Sequence, residues 1–476
     1  MSTYVPLRRL VLGAALALAG CAQVPQTGPL PAPRSPDQYG VAASLGQPAG
    51  TWPADDWWHS FGDRQLDTLI DEALRASPSL ATAEARVQRA LAAATSAGAS
   101  LAPSVDASAG ASRVKQSYNN GIPEAFVPQG WNTSANVGLN LRWELDFWGR
   151  NRAALAAATS EAQAAAADRA QARLVLTTAI AAGYAELARQ QALRATAEQA
   201  VAVRTRTAVL FAERQRHGLE TVGSLRQAQA KEAMAEAELA AVDEALVLQK
   251  HQLAYLAGAG PDRALAIDAP ALDLATARAG VPSALPADLI GRRPDVAAAR
   301  ARAEATAQRI HAARAAFYPN VDLAAAFGYQ SLGLDLLTKS GSLAGSVGPA
   351  VSLPIFNTAR LQGQYRSAQA DYAEAVATYD DTVAQALRDV ADAAASGRML
   401  AGRLERTEAA VSAADEAWRV ANNRYKGGLA TYLDVLNAED ALLANARELA
   451  TLRARRFALD VQMIRALGGG FGTTHG

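Results

Sequence analysis

From Ala135 to Phe147 every second residue is apolar (Ala135, Val137, Leu139, Leu141, Trp143, Leu145, Phe147), while the alternate set, Asn136 to Asp146, is polar or tiny. Period-2 alternation predicts a strand with one greasy and one wet face. Similar stretches at 104–115, 320–330 and 343–355 complete a set of four with 133–147. The fourth alternates less cleanly, and Pro349 within it predicts a bulge or a barrel irregularity. Two of the strands are followed by Ala-rich runs, Arg152–Arg216 and Arg360–Lys426, in which Gly is sparse and Pro absent. These predict long helices, and at 1.5 Å per residue each would reach roughly 100 Å. Return helices begin near Val222 and Thr431. The second carries Leu436, Leu443, Ala450, Phe457 and Ile464 at sevens, and the first Leu225, Leu239, Leu246 and Leu253, with Glu232 interrupting. Heptads of this kind predict coiled-coil packing.

The pattern occurs twice. Residues 77–110 match 293–328 at an offset of 216, bringing Pro78 onto Pro294 and Pro103 onto Pro319. Leu145 and Arg152 match Leu353 and Arg360 at 208, and the leucine column of the first return helix matches that of the second at 211. Each half reads helix, strand, strand, long helix, helix. The halves are expected at 57–258 and 285–467, joined by a connecting segment 259–284 and followed by a Gly-rich tail 468–476.

The N-terminus adds a compartment. Arg8 and Arg9 precede an apolar run of 11 residues, and Leu18-Ala19-Gly20-Cys21 follows, the layout of a secretory signal over residues 1–20. Cys21 is the single cysteine of the chain, and its setting resembles a bacterial lipobox, which implies lipid attachment at Cys21. Ala22, rather than Asp, follows it and points to the outer membrane. A Pro-rich stretch within 21–56 is expected to be a flexible or polyproline tether.

Ten or so alternating residues suit a tilted membrane strand. Four strands cannot close a barrel, and an open edge in lipid is forbidden, so the chain is expected to oligomerise. Lys+Arg and Asp+Glu are both 46, giving zero net charge and no basic stripe for nucleic acid. Aromatics are only 6% of the chain, and Trp131, Trp143 and Trp148 flank the strands. The five His residues show no metal-ligand spacing, and neither G-x-S-x-G nor a P-loop occurs, so neither enzyme activity nor a cofactor is expected.

The stretches 57–74, WELDFWGRNR (143–152), 285–300, 312–323, LPIF (353–356) and RYKGGLATYLDVLNAEDALL (424–443) resemble the TolC/OprM outer membrane efflux proteins, and within them the NodT-like lipoprotein branch. The resemblance runs from about Trp57 to Gly468. It implies a mainly helical chain with membrane β: a homotrimer whose twelve-stranded barrel, four strands per chain, continues into a coiled-coil periplasmic tunnel. It implies export of small toxic molecules, with a periplasmic adaptor and an inner-membrane pump as partners and outer membrane lipid around the barrel. It also implies a periplasmic gate at Arg424, Tyr425, Asp434 and Asn437, with Arg424 and Tyr425 latching the second hairpin to the first. Asn437 stands where relatives often carry Asp. After LPIF this chain has Asn357-Thr358-Ala359 rather than a Gly-containing turn, which leaves the entry of that long helix open. Arg142, Glu144 and Asp146 are expected to face the lumen of the barrel. The alternatives are a non-conducting spacer lipoprotein and an outer membrane channel of type I secretion.

Overall fold

The computed structural model describes residues 24–26, 28–35, 38–40, 51–272 and 287–472; the signal segment and Cys21 lie outside them. The described elements run, in order, α1 (Arg64–Ala76), α2 (Pro78–Ala99), β1 (Ser104–Val114), β2 (Asn132–Glu144), α3 (Arg150–Arg216), α4 (Val222–Leu256), α5 (Ala287–Arg292), α6 (Pro294–Ala315), β3 (Asn320–Leu332), β4 (Leu343–Ser352), α7 (Thr358–Lys426) and α8 (Tyr432–Ala466). The chain divides into two compact units, one holding 87–165 and 299–379 and the other 34–86, 166–298 and 380–476.

The first unit contains the sheet. Its strands pair antiparallel in the order β1-β2-β3-β4, so β1 and β4 are the edges. The register sets Val105, Leu141, Ala325 and Val347 on the same face as Ala107, Leu139, Phe327 and Gly345. The other face carries Ser104, Asp106, Asn140, Arg142, Glu144 and Asp322. One slip of a residue would exchange the two faces, so alternation fixes this register. The register of β4 on β3 passes through Pro349, opposite Leu323, without a bulge. The expected irregularity is absent from the β3–β4 ladder: within the chain β4 has β3 alone beside it, and the alternate N–H groups that point away from β3 can be lost without breaking that ladder. Gly138 and Gly328 are cross-strand partners, and a Cβ on Gly328 would lie 2.3 Å from the carbonyl of Val137.

Strand passes to helix within a few residues. After Glu144 the amide of Leu145 still donates to Val321 O (2.8 Å), and α3 starts at Arg150. On the second copy of the plan the carbonyl of Asn357 accepts from the amide of Leu361 (3.0 Å), so α7 starts directly after Asn357 without a glycine turn. Below the sheet Ile310, Phe317, Leu361, Tyr365 and Ala368 form a small core onto which Val24 packs.

The second unit has the larger core. Trp57, Trp58, Phe61, Leu66, Leu69 and Ile70 pack against Ile180, Tyr184 and Leu187 of α3, Leu253 of α4 and Phe457 and Ile464 of α8. Asp63 caps α1 through the amides of Gln65 and Leu66, and its other oxygen accepts from the Tyr184 hydroxyl (2.9 Å) and the Ala271 amide (2.9 Å). Gly183 lets α4 approach α3 closely: a Cβ there would lie 3.1 Å from both Leu253 and Gln249, whose amide donates to Gly183 O. Within the Pro-rich N-terminal stretch, Arg34 N donates to Asp380 (3.0 Å) and Tyr39 Oη to Asp380 O (3.3 Å).

Both halves of the chain build matching elements. α2 and α6 have 22 residues each, and α4 and α8 have 35 each. The return helices correspond at an offset of 210, not 211: Thr221 and Thr431 are the N-caps, and Gly258 and Gly468 close the C-termini at positive φ. The leucine columns follow buried stripes, which differ by a residue between the two helices; the caps follow the backbone.

Candidate functional site

Two features can do work: the sheet with its two faces, and the ends of the helical hairpins. Across the sheet, large apolar residues of the greasy face stand exposed in the chain, among them Val105, Leu139, Phe327 and Val347, the last 78% exposed. An exposed apolar face of this size marks a binding surface or a membrane. Where the strands meet the helices, Trp148 stacks on Tyr318 (4.6 Å, 18°) and donates to Pro319 O (2.8 Å), while Trp143 donates to Leu101 O (3.1 Å). Half-exposed aromatics with their N–H groups satisfied suit a membrane–water boundary.

On the wet face Arg142 pairs with Asp322 (3.0 Å) and Glu144 with Arg150 (2.6 Å). Asp146 lies beyond the end of β2, and α3 occupies its carboxylate. It accepts from the amides of Asn151 (3.1 Å) and Arg152 (2.9 Å) and from Arg152 Nε (3.2 Å). An anion at this place neutralises orphan amides and the positive helix terminus. The WELDFWGRNR stretch is therefore a strand-to-helix junction with its own cap.

The hairpin tips are built alike. α3 and α7 each end in a glycine at positive φ, Gly218 (71°) and Gly428 (74°), followed by Leu219 and Leu429, whose amides return to Arg214 O and Arg424 O (both 2.8 Å). This is the αL helix stop that only glycine takes at no steric cost. The four sequence-predicted gate residues all fall here, with different employment. Asp434 closes a capping box with Thr431, accepting from its amide and its hydroxyl (2.8 Å each). Those two bonds, with Arg424 nearby, hold its carboxyl below the usual range. Arg424 donates to Leu429 O (3.3 Å) inside its own turn. Tyr425 lies edge-on to Tyr432 (5.4 Å) with the Arg214 guanidinium over its ring (5.6 Å), and its buried hydroxyl has no hydrogen-bond partner. Asn437 is exposed.

Apart from the Arg214 guanidinium over the Tyr425 ring, the contacts between the two hairpins described here fall on residues outside the four expected gate positions. The Tyr432 hydroxyl donates to Thr207 Oγ1 (2.7 Å), and its ring meets Phe211 edge-on (4.5 Å). Burial pushes the Tyr432 phenol up to about 12. Arg204 of α3, 5% exposed, pairs with Glu439 (3.3 Å) and Asp440 of α8, and Lys231 of α4 reaches Asp440 (2.9 Å). Nothing local marks these positions; their partners lie more than 200 residues apart in sequence.

No helix among the described residues is long and apolar enough to cross a membrane. Among the same residues no group of three or more His, Cys, Asp or Glu side chains could hold a metal ion.

The family model for outer membrane efflux proteins matches the chain twice, at residues 69–259 and 285–469. The chain is 33% identical over 491 residues to the fusaric acid resistance protein FusA of Burkholderia cepacia, covering 99% of this chain and 90% of that one. It is 30% identical over 471 residues to the multidrug resistance outer membrane protein MdtP of Escherichia coli K12, covering 97% and 96%. Among solved structures, the outer membrane protein VceC of Vibrio cholerae matches with a TM-score of 0.83 and 47% identity, over 88% of this chain and 100% of that chain. The protein is an outer membrane efflux channel with the TolC-type fold and not an enzyme. Matched in both of its halves and over nearly its whole length, the chain belongs to the outer membrane efflux protein family.

Proposed function

We propose that three copies of this chain close one barrel and one helical conduit, and that the assembly exports small toxic compounds delivered by a periplasmic adaptor and an inner-membrane pump. The observation that carries this is the four-stranded sheet with a coherent apolar face and two unpaired edges, β1 and β4. In lipid every backbone donor and acceptor needs a partner, so β1 of one copy pairs with β4 of the next. Three fourfold sheets give twelve strands, above the smallest workable barrel of about eight. The wet face, with Arg142 and Glu144, then lines the lumen, and Asp146 sits at its mouth as the cap of α3.

The cargo class follows the relatives, one named for fusaric acid resistance and another for multidrug resistance. Lipid attachment at Cys21 is part of the same reading. Val24, three residues on, packs beside Phe317 and Leu361 next to the strand ends, which supports an anchor at the membrane rim. The two-repeat division at 57–258 and 285–467 and the gate at Arg424, Tyr425, Asp434 and Asn437 complete it.

Planar-bilayer recording of the detergent-extracted protein, with its mass measured in the same detergent, tests the proposal. A trimer with stepwise conductance is expected. A monodisperse monomer, or a trimer that never conducts, would remove the channel assembly proposed here. Expression in a host lacking its own efflux channels tests the cargo class, the expected result being restored tolerance to small amphipathic toxicants.

A further inference from the structure

β1 carries a charge pattern that the channel reading does not use. Its residues Val105, Ala107, Ala109 and Ala111 lie opposite Leu141, Leu139, Val137 and Ala135 on the apolar face. The next residue of the same parity is Arg113, opposite Thr133, and the next is Lys115, one residue past the strand end. Two cations therefore continue the row that meets lipid. Both are exposed, and neither has a carboxylate within ion-pairing distance among the described residues. The Lys115 ammonium lies 5.9 Å from the centre of the Tyr118 ring, and the Tyr118 hydroxyl accepts from the Gly130 amide (2.9 Å), which ties the ring to the base of β2. Trp131, 62% exposed, and Phe126, 79% exposed, stand at the same rim. This rim is opposite the ends of the strands that feed the helices, so in an outer membrane channel it is the outward one.

An arginine facing lipid costs about 2–4 kcal/mol at the bilayer midplane and about 0–1 kcal/mol near the interface. Arg113 is therefore tolerated only at headgroup depth, and there an unpaired cation attracts anionic lipid. Aromatic side chains beside it hold the same depth. We propose that Arg113 and Lys115, framed by Tyr118 and Trp131, bind the phosphate groups of the phosphorylated glycolipid of the outer leaflet. The guanidinium offers paired N–H donors that match phosphate oxygens, and the ammonium adds a point charge beside them. The inference rests on the apolar face meeting lipid and not on the cargo or the gate.

The test is native mass spectrometry of the full-length assembly in detergent, titrated with diphosphorylated lipid A, its monophosphoryl form and phosphatidylglycerol. The parent is expected to retain the diphosphoryl lipid about tenfold better than the monophosphoryl one. Arg113→Gln with Lys115→Gln should lose that preference at unchanged oligomer mass, and the exchange Arg113→Lys with Lys115→Arg should keep most of it. A parent without preference, a double variant that keeps it, or phosphatidylglycerol held as well as the diphosphoryl lipid would each overturn the assignment. Conductance of the double variant should match the parent, so a failure here is separable from a failure of the channel reading.

Discussion

Arg204 and Glu439 lie side by side, 5% and 3% exposed, with 3.3 Å between Nε and Oε1, and they join the first long helix to the second return helix. Neither Glu439 oxygen has a hydrogen-bond partner, and Arg204 Nη1 has none either. Such a pair is asymmetric to mutation. Removing Arg204 leaves the Glu439 charge buried without a partner and costs about 3–5 kcal/mol, whereas neutralising Glu439 in place leaves Arg204 paired with its second carboxylate, Asp440. Arg204→Ala should therefore loosen the hairpins, seen as a lower melting midpoint and a larger resting conductance. Glu439→Gln should leave the resting conductance near that of the parent.

The same pair sets a pH dependence. Burial pushes the Glu439 carboxyl above the usual carboxylate range, and the Arg204 guanidinium offsets this only in part. A group whose folded pKa is raised contributes stability that is fully present below its unfolded pKa and is lost as pH rises through the folded one. In melting curves recorded from about pH 4 to 8, the parent should lose stability relative to Glu439→Gln as pH rises. Parallel curves for the two proteins would show that Glu439 does not titrate in this window.

In the sheet, depth and face decide the cost of a charge. Leu139 is central on the apolar face and pairs with Phe327, while Val351 is near the helix end and pairs with Val321. Leu139→Arg should destabilise the inserted protein by about 2–4 kcal/mol and Val351→Arg by about 0–1 kcal/mol. Asn140→Arg, on the wet face, should insert like the parent. Denaturant titration in lipid vesicles measures all three.

Much of this architecture was legible along the chain because it is written in local patterns. Alternation located all four strands, and the long helices begin at Arg150 and Thr358, two residues before the expected Arg152 and Arg360. For α3 that difference has a cause: the Asp146 carboxylate caps the amides of Asn151 and Arg152 and lets the helix start earlier. Asp146 looked like one more wet-face residue because its parity continues β2, but the backbone turns first. The return helices differ by one residue between leucine columns and caps, because Leu246 and Phe457 align as core residues at 211, whereas Thr221 and Thr431 align as caps at 210. What remained hidden is the pairing of Arg204 with Glu439 and of Thr207 with Tyr432. Each residue alone resembles ordinary helix-surface chemistry, and only tertiary packing buries it.

The tips separate two tyrosines seven residues apart on the second hairpin. Tyr425 touches the first hairpin through Arg214 over its ring, and its hydroxyl bonds to nothing; Tyr432 donates its hydroxyl across to Thr207 at 2.7 Å. Deleting an unpartnered buried hydroxyl removes a desolvation cost, whereas deleting a bonded one leaves its partner unsatisfied, a loss of about 1–3 kcal/mol. Tyr425→Phe should therefore leave resting conductance unchanged or lower, and Tyr432→Phe should raise it. Arg424→Ser, which loses only the bond to Leu429 O in its own turn, should act weakly alone. If Tyr425→Phe opens the channel as far as Tyr432→Phe, its hydroxyl is used by a neighbouring copy in the assembly, and the latch lies between chains instead of between the hairpins of one chain.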